Sequence, residues 1–224
     1  MTRAAAHLEE SQLVVRRRKE RVDLILGNVV LLSSAALETE RAFGALVPKG
    51  AERVVIGGLG FGSTLAGVLG MVGPTARVVV AEKVKAIEVL LRGELADLVA
   101  KGVLDDPRVA IENADVADVI ARAAGPGAGR LDAILLDVDN GPEWASFRTN
   151  ARLYAPAGLA AAHAALKPGG ILAVWSGYPA DAFLGRLRGA GFAPSVVPLR
   201  ETTGVVRARA YVGAKSLDKP APRG

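Results

Sequence analysis

The sequence predicts an α/β chain: an open, mostly parallel sheet with helices on both faces, preceded by a small β-hairpin module. Three observations predict it. A short apolar run stops at a glycine cluster in RVVIGGLGFGST (residues 53–64) and leads into helix-like sequence. From residue 52 onward, apolar strand-like segments alternate with helix-like ones, the pattern of a parallel sheet covered on both sides. The series then ends in two strand-like segments close enough to pair as a hairpin.

The elements follow in order. Residues 1–9 read as a loose terminus. Residues 13–17 and 22–26 read as strands around a charged turn, Arg18 to Arg21, and 29–33 repeats the strand pattern after the turn dipeptide Gly27-Asn28. Residues 35–46 are helix-like, and Pro48, Lys49 and Gly50 close this piece. So few strands rarely fold alone, which makes 1–50 a β-hairpin module with a linking helix, attached to a main domain at 51–214. Within that domain the expected strands are 53–57, 77–82, 109–113, 131–137 and 171–176. Helices are expected at 63–72, 84–100, 116–124 and 156–166. Lys167, Pro168, Gly169 and Gly170 punctuate the turn into the fifth strand. A helix at 182–190 and strands at 195–199 and 205–213 complete the domain. Residues 215–224, with two prolines and three basic residues, read as a disordered tail.

Composition removes several function classes. The 224 residues contain no cysteine, which excludes disulfides, thiolate metal sites and a cysteine nucleophile. The two histidines, His7 and His163, are too few for a multi-histidine metal site, so no metal is expected. His163 lies in an alanine-rich segment and reads as structural. No apolar run reaches the length of a membrane span and residues 1–10 lack a signal-peptide core, so the expectation is a cytoplasmic protein. The net charge of +5 concentrates at Arg16, Arg17, Arg18 and Lys19, with Arg21 nearby. Such a patch suits nucleic-acid phosphates, but it equally suits a solvated hairpin turn, and aromatic residues at 4% leave few stacking platforms.

In an open parallel sheet, ligands sit beyond the carboxyl ends of the strands. At the first end stand Gly57, Gly58, Gly60 and Gly62, where missing side chains let the backbone approach a ligand and adopt positive φ. The second strand ends in Glu82, a carboxylate suited to both ribose hydroxyls of a nucleoside; the other reading is a solvated loop acid beside Lys83 and Lys85. The third leads to Asp115, which suits an adenine amino group or, equally, the N-cap of the following helix. The fourth ends in DVDNGPEW (137–144), where Asp137, Asp139 and Glu143 crowd after an apolar strand. Such crowding is costly unless the acids meet a cation or a proton. Asn140, Gly141 and Pro142 are turn chemistry on their own, but Asp137 stands at the strand tip and is the candidate catalytic acid. Trp144, Trp175 and Tyr178 read as packing or cleft-lining residues.

Five parallel strands closed by an antiparallel hairpin form the Rossmann-like sheet of the class I S-adenosylmethionine-dependent methyltransferase fold. Within it the chain resembles the spermidine synthase family of aminopropyltransferases over roughly residues 13–213. The N-terminal hairpins, the Gly57-Gly58 loop, Glu82, Asp115, the Asp137 strand end and Tyr154 ahead of the Leu-Lys-Pro-Gly-Gly turn all fall in family order. The resemblance implies a decarboxylated S-adenosylmethionine donor. Gly58 to Gly62 would face its thioether end, Glu82 the ribose and Asp115 the adenine. It implies that Asp137 accepts a proton as an acceptor amine attacks the aminopropyl carbon. It also implies that Asp139, Glu143 and Tyr154 form the substrate-binding set for a small amine, and, by analogy, a homodimer. Departures are visible. The family's loop aspartate is replaced by Gly60, its glutamine by Leu32, and its Tyr-His pair by Glu38-Thr39 ahead of Glu40. Its Asp-x-x-Asp-Pro pattern is compressed to Asp137-Val138-Asp139-Asn140.

These departures keep a second reading open, a small-molecule methyltransferase using ordinary S-adenosylmethionine. Gly60, without the expected acid, leans that way. An RNA methyltransferase gains only from the basic cluster, because residues 139–142 lack the Asp/Asn-Pro-Pro-aromatic motif. A nicotinamide dehydrogenase lacks an evident acid–base histidine. A non-catalytic scaffold is the remaining alternative.

Overall fold

The computed structural model describes residues 13–19, 21–27, 29–126, 130–138, 141–143 and 148–217. Three strands, β1 (Leu13–Arg17), β2 (Val22–Leu26) and β3 (Val29–Ser33), form an antiparallel sheet in the order β1-β2-β3. The basic cluster sits at its first turn, where Arg18 N–H donates to Arg21 O at 2.7 Å. Arg17 reaches out of that turn to the Asp97 carboxylate at 2.9 Å. A 3₁₀ turn (Ser34–Ala36) then leads into α1 (Leu37–Gly44).

The main sheet has seven strands in the order β6-β5-β4-β7-β8-β10-β9. These are β4 (Arg53–Gly57), β5 (Arg77–Ala81), β6 (Val109–Glu112), β7 (Leu131–Leu136), β8 (Leu166–Ser176), β9 (Phe192–Arg200) and β10 (Val206–Lys215). The first five are mutually parallel, β10 runs antiparallel to β8, and β9 pairs antiparallel with β10. The helices are α2 (Ser63–Leu69), α3 (Lys85–Arg92), α4 (Val116–Ala124), α5 (Pro156–Ala165) and α6 (Ala182–Gly189). The expected fold class is the one found.

Strand alternation splits the core into two layers. Val54, Ile56, Ala133 and Leu135 face a cluster that includes Phe43, Leu65 and Leu91. Val55, Ile134 and Leu136 face the opposite cluster with Ile120, Leu159 and Phe183. This is the period-2 pattern of strands buried on both faces. Winding reverses between β4 and β7, so their carboxyl ends form the crevice of the sheet.

Several boundaries differ from the sequence expectation, three of them by enough to matter. The helix expected over 84–100 stops at Arg92, because Gly93 leaves helical geometry (φ −123, ψ −104), and only a 3₁₀ turn (Ala96–Leu98) follows. The fifth strand begins at Leu166, ahead of the Lys-Pro-Gly-Gly turn residues. Lys215, assigned to the tail, is the last residue of β10, and its Nζ donates to His163 O at 2.8 Å and Leu166 O at 2.9 Å. No helix among the described residues is long and apolar enough to cross a membrane.

One close packing decides the geometry of the site. A Cβ on Gly44 would meet Thr64 O at 2.1 Å, and one on Gly67 would meet Arg41 O at 2.2 Å. Helices α1 and α2 therefore touch backbone to backbone, which only glycine permits. This contact brings Glu40, on the buried face of α1, beside the glycine loop.

Candidate functional site

The loop from Gly57 to Gly62 is built against the end of β7. Asp137 N–H donates to Gly57 O at 2.9 Å. Gly58 has φ +89, and a Cβ there would stand 2.3 Å from Asp137 O. No other residue fits without moving the strand end, so the glycine sets the spacing between loop and acid. Leu59 and Phe61 turn their side chains into the core, leaving the loop's glycine faces toward the crevice.

Glu82 follows β5 and is 7% exposed. Its Oε2 accepts from Leu59 N–H at 2.9 Å and its Oε1 from Val84 N–H at 2.8 Å. Burial pushes this carboxyl up, against the pull of those backbone donors and of Lys83. Each oxygen keeps a lone pair for a further donor, so anchoring the loop and accepting from a hydroxyl are compatible.

Asp115 caps α4, accepting from Ala117 N–H at 2.9 Å. Its other oxygen pairs with Arg152 at 2.7 Å and Lys83 at 3.1 Å. Burial raises its carboxyl, but the Ala117 N–H and the two cations outweigh it, so the group sits below the ordinary carboxylate range. Of the two sequence readings, the N-cap is observed.

Asp137 lies just past β7. Its Oδ2 accepts from Thr64 Oγ1 at 2.6 Å, and that hydroxyl also lies 3.2 Å from Glu40 O. Burial lifts the Asp137 carboxyl to about 6, opposed by the Thr64 hydrogen bond. Glu40 faces the same space at 7% exposure. Its carboxyl is pushed well above the ordinary range, first by burial and then by the Asp137 charge.

Two adjoining cavities share Leu31, Leu32, Gly60, Asp137 and Val138. The first runs from Asp115 past Glu82 and Gly58 to Asp137. The second lies under β3 and α1, with Glu40 and Trp175 in its wall.

The structure thus gathers Gly58, Gly60, Glu82, Asp115 and Asp137 around one crevice, with Gly57 and Gly62 as the loop's hinges. Other expected site residues stand apart. Tyr154 is 1% exposed and packs edge-on against Phe183 with ring centroids 5.9 Å apart, so it belongs to the core and not to the cavity wall. Its bulk and the apolar face of α5 draw it inward. Glu143 is exposed and ion-paired with Arg186. Asp139 and Trp144 lie outside the described residues. His163 packs edge-on to Phe192 at 4.9 Å, in keeping with a structural reading.

Glu40 and Thr64 stand at the crevice without a strand-end position to mark them in the sequence. The signal for Glu40 was its place three and four residues before Phe43 and Gly44, on the buried stripe of α1. An acid on such a stripe needs a reason. Thr64 could be found only through the glycine packing that sets it beside β7.

No protein-family profile matches the sequence, and no curated protein matches it. Solved structures do. A spermidine synthase from Thermotoga maritima superposes with a TM-score of 0.66 at 18% identity, over 92% of this chain and 74% of that one. A second spermidine synthase, in complex with the transition state analogue AdoDATO, gives 0.61 at 18%, over 93% and 74%. Human methyltransferase-like protein 13 in complex with SAH gives 0.54 at 20%, over 84% and 80%. The fold is that of the class I S-adenosylmethionine-dependent methyltransferases. In that fold the chain adds its three-stranded N-terminal sheet ahead of β4 and closes the main sheet with the β9–β10 hairpin.

Proposed function

We propose that this protein is a transferase that moves an aminopropyl group from decarboxylated S-adenosylmethionine to a small amine, with Asp137 as general base. The observation that carries the reading is Asp137: an acid at the crevice of the sheet, lifted by burial to about 6, where the two cavities meet. A base poised near neutrality takes a proton efficiently, whereas an ordinary carboxylate is too weakly basic. The acceptor nitrogen would form a bond to the carbon attached to sulfur as the carbon–sulfur bond breaks. The sulfonium leaves as a neutral thioether, and the proton shed by the nitrogen passes to Asp137. Glu82 and the glycine loop would hold the nucleoside, Lys83 and Arg152 keeping Asp115 in place at the adenine end. Two spermidine synthases superpose over 92 and 93% of the chain, which is in keeping with this reading.

A second reading is methyl transfer from ordinary S-adenosylmethionine to a small molecule. The bare Gly60 favours it: a Cβ there would find only Glu40 Oε2, at 3.9 Å, leaving room for a bulkier donor tail. Calorimetric titration with both donors separates the two. Preference for the decarboxylated donor is expected; preference for the ordinary one overturns aminopropyl transfer and selects the methyl reading. A homodimer through the N-terminal module belongs to the same proposal, and sedimentation giving a monomer at micromolar concentration would end it.

A further inference from the structure

Glu40 is a buried acid whose carboxylate has no described partner. It is 7% exposed, yet no N–H, hydroxyl or cation among the described residues pairs with its carboxylate. Glutamate 82, equally buried, has two backbone donors. A buried carboxylate without donors is expensive, and a second one nearby makes it more so. Asp137 is that second one, and its only described side-chain partner is the Thr64 hydroxyl. What little of Glu40 is accessible opens on the cavity that also holds Gly60 and Asp137.

An arrangement of this kind calls for a cation with hydrogen-bond donors. The position of Glu40 says which part of a ligand would bring it. A Cβ on Gly60 would lie 3.9 Å from Glu40 Oε2, so the carboxylate stands behind the glycine loop, on the donor side of Asp137. The bare glycine leaves the path from the first cavity to Glu40 open.

We propose that Glu40 selects the donor: its carboxylate binds the terminal ammonium of a donor tail that carries no carboxylate, and repels a tail that does. This rests on the reading of the site as an S-adenosyl sulfonium pocket. Asp137 then remains free for the acceptor's proton, so the two acids divide the work. An ammonium at Glu40 also removes the repulsion between them, which ties charging of the pair to arrival of the cationic tail. A donor ending in an amino acid would set its own carboxylate in a wall that already holds two acids, at the distances where like charges cost most.

The test uses three thioethers that share the nucleoside: methylthioadenosine, with no tail charge; the decarboxylated form of S-adenosylhomocysteine, with an ammonium; and S-adenosylhomocysteine, with ammonium and carboxylate. Calorimetry near neutral pH should rank the amine-tailed thioether first in the native protein. Glu40→Gln should weaken it by roughly 30-fold, the size expected when one partner of a buried charge pair is removed. Methylthioadenosine should bind the variant as before, which also reports that the pocket is folded. Glu40→Asp should recover part of the preference. If the native protein prefers the amine-tailed thioether and Glu40→Gln keeps that preference, the assignment of Glu40 is overturned while the donor reading stands. If the native protein shows no such preference, aminopropyl transfer itself fails, and the assignment falls with it.

Discussion

The two ends of the crevice treat their carboxylates in opposite ways. At the end lined by Asp115 and Glu82, Asp115 has a backbone amide and two cations, and Glu82 has two backbone amides. At the other end, Asp137 has one hydroxyl and Glu40 has no described partner. The first pair holds the scaffold: Asp115 fixes the start of α4, and Glu82 ties the glycine loop to β5. The second pair is held in place by the scaffold, through the Gly44–Gly67 contact and the close approach of Gly58, and is left unsatisfied there. Acids that already have partners shape a pocket. Acids that lack them are the ones available for chemistry.

The comparison breaks most readily at Asp137. Asp137→Asn keeps the acceptor oxygen for Thr64 but cannot take a proton, so turnover should fall by about 10²–10⁴-fold while calorimetry shows nucleoside binding retained. In the native protein the rate should rise as pH passes through about 6, and the variant should lose that limb. The sign for stability is opposite. A carboxyl raised in the folded state binds its proton more tightly there than in the unfolded chain, so its stabilising effect is complete at acid pH. That effect is lost as pH climbs from the unfolded value toward 6. Asp137→Asn should therefore stabilise the protein near neutrality, on the order of 1–3 kcal/mol. Equal melting temperatures at pH 7 would show that Asp137 is not held at a cost.

The loop tests whether spacing matters as much as charge. Gly58→Ala places a methyl against Asp137 O in a left-handed conformation and should cost roughly 3 kcal/mol, strain and overpacking together. Gly50 has φ +78 with nothing within 4 Å of a Cβ, so Gly50→Ala should cost only about 1 kcal/mol. Chemical denaturation of the two variants compares them directly, and equal losses would remove the argument that Gly58 positions the acid.

Much of this was legible in the sequence. The alternating apolar segments specify a sheet buried on both faces, and the glycine run after 53–57 marks the end of its central strand. Glu82, Asp115 and Asp137 each follow a strand, so the rule for ligands at strand ends finds them without coordinates. What escaped is what depends on packing between distant elements. Tyr154 has the right place in the order, but α5 turns it into the core against Phe183. Glu40 belongs to a helix 97 residues away from Asp137, and only the backbone contact of α1 with α2 makes them neighbours. Helix 84–100 was overextended because Gly93 reads as one tolerated glycine in a periodic segment, whereas its backbone leaves the helix.

Glu82 should show the intermediate effect. Glu82→Ala leaves Leu59 and Val84 N–H without acceptors, at a cost on the order of 2 kcal/mol. It should weaken all adenosyl thioethers alike, because the group it would touch is common to them. Selective loss of one ligand would contradict the ribose role and move Glu82 to the tail-reading end of the crevice.

The smallest effect falls on Asp115, and there the comparison is sharpest. If Asp115 serves mainly as a cap, Asp115→Asn keeps the oxygen that Ala117 N–H needs and should change stability little, whereas Asp115→Ala should lose about 1 kcal/mol. The Arg152 and Lys83 pairs are partly exposed and add little of their own. Donor affinity provides the second axis. An acid already shared by a backbone amide and two cations has little left to offer an adenine amino group, so Asp115→Asn should bind methylthioadenosine as the native protein does. A clear loss of affinity in the Asn variant, with stability unchanged, would mean that Asp115 reads the base despite its partners. The division between scaffold acids and working acids would then have to be drawn between Glu82 and Asp115, and no longer across the middle of the crevice.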